Sequence, residues 1–163
     1  MRQDDDNAFG TPSCTSRFRR GALVTVVAMR HGHAAASGPK GDRSRPLTEQ
    51  GRTAARRMFE ALSERQALPR IALVSSAVRT RETIAEALGL ATIEVIYLDE
   101  LYNSSPDMIE AVIAENASDR DVIVVAHNPG ITAFANSGAP LAPADAVILR
   151  PESAPIHLRA NER

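Results

Sequence analysis

Two histidines and two arginines stand where apolar runs give out. In "VVAMRHGHAA", residues 26–35, an apolar run leads directly into Arg30, His31, Gly32 and His33. In "SSAVRTRET", residues 75–83, Arg79 follows a short apolar segment, and in "VVAHNPG" His127 and Asn128 follow another. A neutral imidazole is a nucleophile toward phosphorus, and guanidiniums carry rigid forks of N–H donors matched to phosphoryl oxygens. A second imidazole can donate to an equatorial oxygen, and spreading charge over those oxygens is most of what phosphoryl transfer asks of a protein. A competing chemistry takes "HGH" literally. In an extended chain His31 and His33 share a side and could ligate zinc, with His127 and an aspartate completing the site. Against that, Arg30 and Arg79 would set positive charge beside a dication.

The elements that must position these groups alternate. "ALVTVVAM" (22–29), "IALVSS" (71–76), "TIEVIYL" (92–98) and "DVIVVA" (121–126) read as buried strands. Between them lie helices. One is capped by Thr48 and runs to about Leu68 before Pro69, with Ala55, Met58, Phe59 and Leu62 on its apolar face. A second is "AVRTRETIAEALG", ended by Gly89 as its left-handed C-terminal residue. A third has Ser105 as cap, Pro106 in its first turn and Met108, Ile109, Val112 and Ile113 facing inward. A short helix after "HNPG" and two late strands, "DAVILR" and "APIHLRA", complete the pattern. This predicts an α/β fold of three layers, α/β/α, with a mostly parallel central sheet. In such sheets ligands bind beyond the carboxyl ends of the strands, which is where Arg30, His31, Arg79 and His127 fall.

Four segments in this order, "MRHG", "PLTEQG", "SSAVRTRET" and "VVAHNPG", resemble the histidine phosphatase superfamily, and most nearly its short branch of SixA-like phosphohistidine phosphatases. The resemblance spans roughly residues 23–150. It implies a phosphoglycerate mutase-like fold and a metal-independent phosphatase without a cofactor. On its pattern His31 is the nucleophile that becomes a transient phosphohistidine, Arg30 and Arg79 clamp the phosphoryl oxygens, and His127 completes the pocket. The spacing to Thr83 selects Arg79 over Arg81. Gly32, Arg45 and Asn128 are counted with the phosphate-binding group. Gly32 is read as leaving room for substrate at the backbone, Arg45 has an exposed-loop alternative, and Asn128 has a helix-capping one. The general acid is Asp42 in "DRSRPLT" or else Glu100 in "LDELY", with Asp42 preferred. Ser75 and Ser76 are expected to cap a helix, His33 to line the rim, and His157 to be structural.

Bulk properties narrow the partners. The chain of 163 residues suits one domain, 23–163, preceded by an extension over 1–22 expected to be disordered. A net charge of −1 argues against nucleic acid or a membrane surface as partner, so attraction to an anion must be local. The single cysteine, Cys14, allows no intrachain disulfide and no cysteine-based zinc site, which fits a cytoplasmic location. "RFRR", residues 17–20, is read as a solvated basic run. Only "NSSPDMIEAVIAENASDR" separates the third strand from "VIVVA", too little for a lid. An open pocket admits a phosphorylated side chain on a protein, hence phosphohistidine on a protein is the preferred substrate and a small phosphomonoester the alternative. The last 36 residues after His127, rich in Pro, Ala and Gly, leave the back of the pocket undefined.

Overall fold

The computed structural model describes residues 24–161. The extension over residues 1–22, Cys14 and the basic run at 17–20 therefore lie outside the described residues. Strands β1 (Val26–Arg30), β2 (Ile71–Ser75), β3 (Glu94–Leu98), β4 (Val122–Ala126), β5 (Ala146–Leu149) and β6 (Ile156–Leu158) form one sheet in the order β3-β2-β4-β1-β5-β6. Pairings among β1 to β4 are parallel, and β5 and β6 are antiparallel additions on one side. The two late strands read from the sequence are thus real, and the sheet is mostly parallel as expected.

The central strands are apolar throughout because both faces are covered. Alternate residues point to opposite sides. Val27, Met29, Ala72, Val74, Ile123 and Val125 pack with helices α1 (Glu49–Glu64) and α2 (Val78–Ala85). Val26, Ala28, Leu73, Val122, Val124 and Ala126 pack with α3 (Pro106–Asn116) and α4 (Gly130–Ala135). Three layers follow directly from that alternation.

Helix α1 starts as predicted. Thr48 takes up the Gly51 N–H at 3.1 Å, and Ala55, Met58, Phe59 and Leu62 are buried. It stops at Glu64, short of Leu68, because Gln66 adopts a left-handed conformation at φ 52° ahead of Pro69. Helix α2 ends at Ala85, not at Gly89, and Gly89 is not left-handed; turns from Glu86 onward finish the segment. Helix α3 carries its predicted Ser105 cap, at 3.2 Å from the Met108 N–H. Met108 is exposed, however, and Leu101 fills the core beside Ile109 and Ile113 instead. Among the described residues no helix is long and apolar enough to cross a membrane.

Candidate active site

Register brings the chemistry together. Arg30 on β1 pairs with Ala126 on the adjacent β4, so the next residues, His31 and His127, leave the sheet side by side. Their ring centroids are 5.1 Å apart. On the other side of β4, β2 ends in Ser75, and α2 begins close behind with Arg79 in its first turn.

His31 is buried, and its Nδ1 lies 2.7 Å from the Gly32 carbonyl oxygen. A carbonyl can only accept, so Nδ1 carries the proton and the lone pair is left on Nε2. Arg79 donates to that nitrogen from Nε at 3.3 Å. Burial, with the nearby cations Arg79, Arg30 and Arg45, lowers the His31 pKa to about 4, against the raising effect of the Gly32 carbonyl. The ring is therefore neutral at physiological pH, the state in which an imidazole can attack.

His127 is lowered to about 3, by burial first and then by His31 and Arg79. Its Nε2 meets the buried Ser75 hydroxyl at 2.7 Å, while its Nδ1 is buried without a partner. If the hydroxyl gives its proton to Nε2, the ring's own proton sits on Nδ1, an unspent donor. Ser75 is thus not a helix cap. Neither is Ser76, which hydrogen-bonds Asp99, and α2 has no side-chain cap at all.

Asp42 and Tyr102 close the other side. Arg79 donates from Nη1 to the Asp42 main-chain oxygen at 2.7 Å and from Nη2 to its carboxylate at 3.0 Å. Arg45 reaches the same carboxylate at 3.0 Å and the Ala35 carbonyl at 2.6 Å. The Tyr102 hydroxyl donates to it at 2.6 Å. Tyr102, then Arg45, with help from Arg79, hold this carboxyl well below the usual carboxylate range. In this arrangement Asp42 is an ionised acceptor. Glu100 is exposed, and none of the hydrogen bonds of His31, Asp42, Arg79 or His127 involves it. Tyr102 escaped the sequence reading. Its ring also stands edge-on to His127 at 5.3 Å and under the Arg43 guanidinium at 4.2 Å. An isolated tyrosine in an exposed-looking turn carries no periodicity by which it could be found.

The remaining predicted residues divide. Arg30 donates from Nη1 to the Leu141 carbonyl at 2.8 Å, and its Nε is buried and unpartnered. Burial works against its charge, and the Asp145 carboxylate offsets part of that. Arg81 turns away to the Ser76 carbonyl and stacks on Tyr97, so the structure separates it from Arg79 as expected. At Gly32 a Cβ would meet the Gly51 carbonyl oxygen at 2.7 Å, so the start of α1 approaches the backbone there. Asn128 caps no helix: it donates to the Leu141 carbonyl at 2.9 Å and accepts from Thr132 at 2.6 Å. His33 is exposed and bonded to Thr48, and His157 is exposed on β6. His33 and His31 thus take separate partners. Among the described residues no group of three His, Cys, Asp or Glu side chains is placed to hold a metal ion.

The model of the histidine phosphatase superfamily (branch 1) matches residues 26–110, just over half of the chain. The chain belongs to the histidine phosphatase superfamily. No curated protein matches it. Among solved structures it is similar to the phosphohistidine phosphatase SixA from Agrobacterium tumefaciens, at 25% identity and a TM-score of 0.73, over 80% of this chain and 92% of that one. It is similar also to SixA from Nakamurella multipartitia, at 31% identity and a TM-score of 0.66, over 80% and 86%. A protein histidine phosphatase SixA complexed with tungstate shares the fold at 22% identity and a TM-score of 0.71, over 83% and 94%. For this superfamily member the SixA-like fold is therefore shown, and family and fold together support a phosphatase.

Proposed function

We propose that the chain removes a phosphoryl group by way of a phosphohistidine on His31, and that its substrate is phosphohistidine on a protein. The observation that carries this is the neutral His31 with its lone pair on Nε2, set 5.1 Å from His127 and within reach of Arg79. In the first step Nε2 attacks phosphorus and the bond from phosphorus to the leaving group breaks, its electrons departing with that group. In the second, water attacks the phosphohistidine, yielding inorganic phosphate and restoring the His31 lone pair. Arg79 and Arg30 hold the equatorial oxygens, and the unpartnered Nδ1 of His127 donates to one of them.

The leaving group also needs a proton. Asp42 is ionised at rest, but a phosphoryl dianion that takes Arg79 from it removes a cation and adds an anion, and both changes raise its affinity for a proton. Asp42 serves as the acid in this way. A phosphohistidine substrate asks least of it, because a P–N bond breaks readily once the leaving imidazole is protonated. The likeness to the two structures named for phosphohistidine phosphatase SixA supports the same substrate. So does the chain between β3 and β4, which supplies a 3-10 turn and α3 and no lid.

A substrate panel tests this, with a phosphohistidine peptide, aryl phosphates and sugar phosphates assayed with and without EDTA. The phosphohistidine peptide is expected to be the best substrate, insensitive to EDTA. Preference for a sugar phosphate would replace the protein substrate by a small phosphomonoester. Turnover lost in EDTA and restored by zinc would replace the histidine nucleophile by a metal site.

A further inference from the structure

The Pro-, Ala- and Gly-rich segment after α4 has no regular structure, yet it touches the Arg30–His31 pair at three points. The Arg30 N–H donates to the Asp145 carbonyl at 3.0 Å, the Ala144 N–H donates to the His31 carbonyl at 3.1 Å, and the Leu141 carbonyl takes the Arg30 side chain at 2.8 Å. The third contact is itself held. The Leu141 carbonyl also accepts from Asn128, and the Leu141 N–H donates to the Thr132 hydroxyl at 3.0 Å. That hydroxyl donates in turn to the Asn128 side-chain oxygen at 2.6 Å. Thr132, Asn128 and the Leu141 peptide form a closed ring of hydrogen bonds in which each group satisfies the next.

We propose that Thr132 and Asn128 are positioning residues that act through the Leu141 carbonyl to aim the Arg30 guanidinium at the phosphoryl group. A guanidinium presents two parallel N–H bonds to two oxygens along its Nε–Nη2 edge. Tying Nη1 to Leu141 leaves Nε without a partner, buried in the resting site as a donor still to be satisfied. The carbonyl can hold Nη1 only if it faces Arg30, and an irregular segment has no helix or ladder to fix it there. The hydrogen-bonded ring takes the place of secondary structure. Asn128, read from the sequence as a phosphate ligand, thus acts one step back from the phosphate.

This rests on the phosphatase reading, and the test separates the two. Thr132→Val keeps the shape and deletes both hydroxyl bonds, Thr132→Ser keeps the hydroxyl, and Asn128→Asp sets an acceptor against the Leu141 carbonyl. Each is assayed for inorganic phosphate affinity by calorimetry, for kcat and KM with an aryl phosphate, and for Tm. Thr132→Val and Asn128→Asp are expected to lose about tenfold or more in phosphate affinity and kcat/KM, the scale on which misplaced groups act, while Thr132→Ser stays near wild type. In an Arg30→Ala background Thr132→Val should add little, since it acts through Arg30. Wild-type phosphate affinity in Thr132→Val, or its full loss repeated in the Arg30→Ala background, overturns the proposal. Should Thr132→Val fail to fold, Asn128→Asp alone and in the Arg30→Ala background decides by the same criteria. A wild-type protein that neither binds phosphate nor hydrolyses any phosphoester overturns the phosphatase reading instead.

Discussion

The Nε of Arg79 stands 3.3 Å from Nε2 of His31, so the guanidinium proposed to hold the phosphoryl group covers the nucleophile's lone pair in the resting site. The other side-chain hydrogen bonds of Arg79 go to Asp42, through its main-chain oxygen and its carboxylate. Arg79 is therefore satisfied without substrate, and a phosphoryl group enters by taking donors that His31 and Asp42 already hold, while Nε of Arg30 and Nδ1 of His127 stand unpartnered. Arg79 is where the proposed nucleophile, clamp and acid meet.

Arg79→Ala is accordingly expected to lower kcat/KM for an aryl phosphate by about 100-fold or more, the scale of losing a donor to developing charge. Arg79→Lys should recover little, because an ammonium lacks the planar fork. Arg81→Ala, which removes a bond to the Ser76 carbonyl and a stack on Tyr97, should leave turnover near wild type. Comparable losses in the Arg79 and Arg81 variants would take Arg79 out of the site.

In the proposed mechanism Asp42 competes with phosphate for Arg79, so Asp42→Asn should bind inorganic phosphate more tightly, read as stronger product inhibition. The same variant should slow turnover of esters with poor leaving groups and spare the phosphohistidine peptide, whose leaving group depends least on an acid. Tyr102→Phe removes the hydroxyl bonded to the carboxylate at 2.6 Å, the largest influence holding that carboxyl's pKa down, and should shift both readouts the opposite way, more weakly. Unchanged phosphate inhibition together with an unchanged response to leaving group in Asp42→Asn would leave the carboxylate without either role.

What was legible in the sequence is what repeats or what ends a repeat. The apolar strands with helices between them predict the layers, and the polar residues at the ends of β1 and β4 are the ones that gather in the structure: Arg30, His31 and His127. Thr48 and Ser105 were readable as caps because their hydrogen bonds are local. Contacts between distant segments were not readable. Ser75 meets His127 from a neighbouring strand, Tyr102 meets Asp42 from a different loop, and Asn128 turns to a carbonyl in a segment without periodicity. Each depends on register and loop course, which pattern alone does not encode.

The two buried histidines make stability depend on pH. Both have folded-state pKa values depressed from 6.5, to about 4 for His31 and about 3 for His127, so between those values and 6.5 the unfolded chain binds the more protons. Stability then rises with pH through that window, is fully present above about 6.5, and falls as the pH drops toward 4. The loss is on the order of a few kcal/mol. Urea unfolding from pH 7.5 to 4.5 should show it, and His127→Gln should flatten the slope. An equal slope in that variant would mean that His127 does not titrate with folding.

Gly32 joins stability to chemistry. Its N–H donates to the Thr83 hydroxyl at 3.0 Å, and that hydroxyl donates to the Arg79 carbonyl at 2.6 Å, so one thread runs from the nucleophile's loop to the helix that carries the clamp. A Cβ at Gly32 would meet the Gly51 carbonyl oxygen at 2.7 Å, a backbone atom at the start of α1 that can move only with its helix. At Gly130 the clash with the Ser104 carbonyl oxygen is tighter still, but it lies between α4 and the turn before α3. Both Gly32→Ala and Gly130→Ala should therefore lower stability by about 1–3 kcal/mol or more, as overpacking does. Gly32→Ala should also lose phosphate affinity under conditions where the variant is fully folded, because it pulls on the thread to Arg79. Phosphate titration of Gly32→Ala at low temperature makes the check, and wild-type affinity would show that the approach of α1 to Gly32 supports the fold without orienting the site.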